Sequence, residues 1–151
     1  MLKLPTAAVA LLGAVLLNLG PPTHAAEKVA GFRIIVHASN PTTSLSVSEV
    51  SQFFLKRTTR WSSGGPVQPV DLPTSSALRE SFSKRVLGRG AVAVEAYWNK
   101  QIFSGQATPP VVKSSERDVL AYVKDNAGAI GYVGTDTPLE SGVKVVSLTE
   151  K

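Results

Sequence analysis

Two hydrophobic rhythms alternate along the chain, and their order predicts a layered α/β domain. Phe32 to Ala38 (FRIIVHA) is a short apolar run rich in β-branched residues and reads as a strand. Asn40, Pro41, Thr42 and Thr43 are turn chemistry. Ser46 with Glu49 three residues on is a capping box, and Val47, Val50, Phe53 and Phe54 follow on one helical face. Arg60 to Pro66 reads as a loop and Val67 to Val70 as a brief strand before Pro73. Thr74, Ser75 and Ser76 supply hydroxyls for a second helix start, with Leu78, Phe82 and Val86 at intervals of four and Gly88 and Gly90 at its end.

A third helix is predicted from about Ala91 to Phe103, with Val94, Trp98 and Ile102 in register and Tyr97 beside them. Gly105, Pro109 and Pro110 stop it. Ser115 and Asp118 form another cap, before a fourth helix whose buried face is Val119, Tyr122 and Val123 and whose end is Gly128. Ala129 to Val133 and Val143 to Leu148 are the closing strands. The predicted order β-α-β-α-α-α-β-β gives a mixed sheet flanked by about four helices, in one domain over residues 30–151.

The first 25 residues follow a different logic. Lys3 precedes an almost unbroken apolar run from Thr6 to Leu19, which Pro21 and Pro22 break. Thr23 and Ala25 are small residues placed for signal peptidase, so residues 1–25 read as a cleaved signal peptide and the remainder as a periplasmic protein. A retained anchor is the rival, although the run is shorter than the roughly 17–25 residues of a span.

The chain carries 16 Lys+Arg against 11 Asp+Glu, for a net charge of +5, and loss of Lys3 with the signal leaves +4. The basic residues are scattered, without the exposed aromatics that interleave a nucleic-acid patch, so no nucleic acid is expected as partner. The absence of cysteine removes disulfides, thiolate catalysis and Cys-based metal sites. His37 has no acidic neighbour in sequence, so no metal and no other cofactor are expected. No Ser is placed with a His and an acid in a nucleophile motif, no glycine-rich nucleotide loop follows a strand, and Glu80 and Glu95 read as solvated-face residues. An enzyme is not expected.

From Asn40 to about Gly134 the sequence resembles the second lobe of the phosphate-binding proteins that serve phosphate ABC importers. The resemblance is carried by Asn40 and Pro41, the helix from Leu45 to Phe54, Trp61, Gly65, Val70, Phe82 with Leu87 and Gly88, and the run Ala129, Ile130, Gly131, Tyr132 and Val133, all in that lobe's order. It implies one lobe of a type 2 periplasmic-binding-protein-like fold, a phosphate-like oxyanion as ligand, and a membrane transporter or sensor as partner. Two departures stand out. Only one lobe can be built from this length, whereas the family holds its anion between two. The family's Arg before a Ser-Gly-Thr helix start is Leu72 here, with Ser76 keeping the Ser, Ala77 in place of the Gly and Leu78 in place of the Thr.

The remaining candidate anion site is Thr74, Ser75 and Ser76 at the second helix start, with Arg79 reaching back one turn. The competing reading is that one hydroxyl caps the helix and the others are solvated turn residues. A second candidate is Lys56, Arg57 and Arg60 with Trp61, a docking patch or simply helix C-terminal cations over a packed indole. Two functional alternatives also stay open: a ligand-less protein–protein interaction module, and a homodimer in which two copies replace the two lobes.

Overall fold

The computed structural model describes residues 30–151, so the expected signal peptide lies outside the described residues. Six strands form one sheet: β1 (Phe32–His37), β2 (Ser44–Ser46), β3 (Gln68–Asp71), β4 (Val111–Val112), β5 (Ala129–Gly134) and β6 (Val143–Thr149), in the order β2-β6-β1-β5-β3-β4. β1 runs antiparallel to both β5 and β6, while β2 with β6, β3 with β5 and β3 with β4 are parallel, so the sheet is mixed. Four helices flank it: α1 (Val47–Phe54), α2 (Ala77–Phe82), α3 (Ala91–Phe103) and α4 (Glu116–Asp125). No helix among the described residues is long and apolar enough to cross a membrane.

The alternation along the central strands fixes the layers. Ile34 pairs with Tyr132 on one face of the sheet, and Ile35 with Gly131 on the other. Phe32, Tyr132, Phe82 and Phe54 form an aromatic stack under α1 and α2, with the Phe82 and Tyr132 rings 3.9 Å apart and nearly parallel. On the opposite face, α4 lays Val119 and Val123 over Gly131. A methyl group there would come within 2.8 Å of Val70 and 2.9 Å of Val119, so the glycine is what lets the helix sit down on the sheet.

The capping box at the start of α1 is formed as expected: Glu49 N–H donates to Ser46 Oγ, and Glu49 Oε2 accepts from Ser46 N at 2.8 Å. Ser115 likewise caps α4. The sequence pattern misses β2 and β4, which are three and two residues long, too short to show a period. It also reads a single regular helix where α2 gives way to a π-helical turn at Ser83–Leu87. The wider turn turns Ser83, Val86 and Leu87 all inward, and Gly88 ends it in the left-handed conformation at φ 69°. Along α3, Val94 and Trp98 are buried as expected, but Ile102 is 51% exposed, because the last turn overhangs the body.

Candidate functional site

α2 begins where the chain leaves β3, at one end of the sheet. Ser76 is its N-cap, and its Oγ accepts from Arg79 N at 3.2 Å. That bond satisfies one first-turn amide and leaves those of Ala77 and Leu78 without an intrahelical acceptor. Ser76, Ala77 and Leu78 form one wall of an open concavity of about 880 Å³. The other wall is the end of β5 and the segment after it, Gly134 to Pro138, with Glu116 from the start of α4.

The four residues singled out in the sequence do not converge on this space. Ser76 lines it. Thr74 lies on the preceding turn and donates its hydroxyl to Glu95 Oε2 at 3.1 Å, and Ser75 is exposed on the same turn. Arg79 does reach back one turn, but inward. It is 5% exposed, its Nη1 lies 2.8 Å from Asp71 Oδ2 and donates to the Leu72 carbonyl at 2.7 Å, and its Nε donates to Ser83 Oγ at 3.2 Å.

This buried network alters the local electrostatics. Asp71 is 2% exposed, and burial raises its carboxyl above the ordinary range, while Arg79 and hydrogen bonds from Tyr132 and the Leu72 amide pull the other way. Burial, reinforced by the Asp71 charge, likewise pushes the Tyr132 hydroxyl up, so that it stays a donor to Asp71 Oδ1. Asp71 therefore presents a partnered side chain to the core and does not face the concavity as a free repelling charge.

The far wall is held by polar contacts that sequence reasoning missed. Glu116 Oε2 accepts from Gly134 N at 2.8 Å and from the Thr137 hydroxyl, and Arg33 Nη2 donates to the Thr137 carbonyl. Arg33 Nε is buried without a hydrogen-bond partner. Glu116 and Asp136 give the concavity two carboxylates. The only signal in the sequence for this wall is the turn chemistry of Thr135 to Pro138; its partners come from residues 18 and 104 positions away.

In the second candidate patch Arg57 and Arg60 are exposed and Lys56 is half-buried, while the indole is a packing residue. Trp61 is buried on Phe53, ring centroids 5.0 Å apart, and its Nε1 donates to the Gly128 carbonyl at 3.0 Å. The cation–π contacts lie elsewhere, Arg89 over Tyr97 and Lys113 over Tyr122. Glu80, expected on a solvated face, accepts from Ala91 N at 2.7 Å and so caps α3, whose own N-cap is Gly90. His37 is tied locally to Ser39, and no group of three His, Cys, Asp or Glu able to hold a metal occurs among the described residues.

No protein-family model and no curated protein matches this sequence. Solved structures do. An ABC-type phosphate transport receptor from Vibrio cholerae superposes with a TM-score of 0.62 at 19% identity, over 79% of this chain and 46% of its own. A Clostridium perfringens protein assigned as a phosphate ABC transporter substrate-binding protein, solved with bound phosphate, gives 0.63 at 20% identity, over 81% and 47%. PstS from Borrelia burgdorferi gives 0.60 at 15% identity, over 79% and 47%. The chain thus spans slightly less than half the length of each, and its mixed sheet with four helices has the fold of a single lobe of these binding proteins.

Proposed function

We propose that this lobe is a periplasmic oxyanion-binding domain that takes phosphate weakly at the start of α2 and works with a phosphate ABC importer. The observation that carries this reading is that Ser76, Ala77 and Leu78, the N-cap and first turn of α2, line the concavity. Amides at a helix N-terminus carry partial positive charge and suit an oxyanion. The fold is that of proteins named for phosphate, one of them solved with phosphate bound.

Two features support weak binding. Leu72 offers no cation where the resemblance expects an arginine, and the Arg79 guanidinium is committed to Asp71 and Leu72. Glu116 and Asp136 place negative charge on the opposite wall. Arg79 enters this account as the residue that holds the turn before α2, Thr74 as the turn's half-buried hydroxyl bonded to Glu95, and Ser75 as its exposed one. The role is binding, not catalysis.

Calorimetric titration with phosphate, using sulfate as the comparison, tests the reading. A saturable signal is expected, weakened roughly tenfold by Ser76→Ala, which removes a hydroxyl donor to a charged ligand. Ser75→Asp, on an exposed position beside the helix start, is expected to abolish the signal without loss of fold. No saturable response to either anion contradicts the proposal.

A further inference from the structure

α3 carries apolar residues on both of its faces, and only one is covered. Ala91, Val94 and Trp98 pack inward. On the outward face Val92 is 72% exposed and Phe103 95% exposed, with Ala96 and Asn99 between them, also exposed. These four positions are spaced 4-3-4, the a and d spacing of a two-stranded helix seam. Glu95 and Lys100, both exposed, border the seam on opposite sides.

We infer that this face is a homodimer interface in which α3 packs in parallel against α3 of a second copy about a two-fold axis. The flanking charges select both the partner and the direction. In a parallel helix pair, a residue at the g position meets the e position of the partner five residues further on. With Ala96 and Phe103 at a and Val92 and Asn99 at d, Glu95 falls at g and Lys100 at e, five residues apart. Each Glu95 therefore meets the other copy's Lys100, twice in a closed two-fold dimer. In an antiparallel pair the like-charged flanks would meet instead.

The centre of the seam is self-complementary too. Ala96 allows the two backbones to approach closely. Asn99 faces its own copy, and its amide carries both a donor and an acceptor, so the pair satisfies itself. Glu95 already accepts from Thr74, and a carboxylate has room for a further partner. A helix of 13 residues is about 20 Å long, which gives a contact smaller than the about 1,200–2,000 Å² of a stable interface. The dimer is accordingly reversible and concentration-dependent. No residue of α3 lines the concavity, so this assembly stands or falls independently of oxyanion binding.

Sedimentation velocity of the purified protein over a concentration series tests the proposal. The expected result is a monomer–dimer equilibrium that Glu95→Lys and Lys100→Glu each weaken by about tenfold and that the two together restore. All these positions are exposed, so the variants keep the fold. The chain has no cysteine, so Asn99→Cys introduces a single thiol, and mild oxidation is expected to yield a disulfide dimer that only the parallel arrangement allows. A protein that stays monomeric up to ~1 mM overturns the inference. So does a dimer indifferent to the charge reversals, which would place the contact elsewhere. Monomeric behaviour with Phe103-dependent binding to phosphatidylglycerol vesicles would assign the face to lipid and overturn it equally.

Discussion

Arg79 shows how far a residue's neighbours in sequence understate its surroundings in the fold. Its place three residues after the N-cap suggested a cation reaching back to a ligand, and the reach is real. The partner is Asp71, eight residues earlier on β3, and Ser83 on the π turn completes the set. Breaking a buried ion pair from one side leaves an uncompensated charge, so Arg79→Ala is expected to cost about 3–5 kcal/mol, measured by urea denaturation. A change within about 0.5 kcal/mol, the range of ordinary surface substitutions, would contradict the buried network. That one of Thr74, Ser75 and Ser76 caps the helix was readable because the bond is local, from Ser76 to the amide three residues on. Glu80 was not, because the amide it caps lies eleven residues away across the bend between α2 and α3.

Among the elements, α1 is the one most completely written in its own sequence, since cap, apolar face and reciprocal glutamate fall within nine residues. Ser46→Ala is expected to cost about 0.5–2 kcal/mol. The box also makes a pH-dependent contribution. Hydrogen bonds from the Ser46 amide and hydroxyl hold the Glu49 carboxyl below its ordinary value of 4.5. The folded state then binds that proton more weakly than the unfolded chain, so the contribution is complete above the ordinary carboxylate range and is lost as pH falls through the lowered pKa. The stability gap between the native sequence and Glu49→Gln should therefore narrow as pH drops through that window, followed by thermal melts at several pH values. A constant gap would contradict the assignment. The elements that escaped the sequence pattern are those defined by partners: β2 and β4 exist because β6 and β3 offer them edges, and the π turn because the core beneath takes in Ser83 and Leu87.

On the scale of the whole molecule, the fold was more visible than the site. Strand and helix periods repeat over many residues, so the mixed α/β layer arrangement emerges from hydrophobic pattern. The concavity does not, because its walls are the start of α2 and the stretch from Gly134 to Pro138, and the latter is held by contacts that span up to 104 positions. The resemblance to one lobe of a phosphate-binding protein drew attention to the start of α2 and to Leu72 where an arginine was expected. It gave no hint that Glu116 and Arg33 would build the facing wall. The central claim is that an oxyanion sits against the first amides of α2. Amide NMR during phosphate titration tests it most directly: the account predicts saturable shifts centred on Ser76, Ala77 and Leu78 that disappear in Ser75→Asp. Saturable shifts centred elsewhere, or no shifts at all, would contradict it.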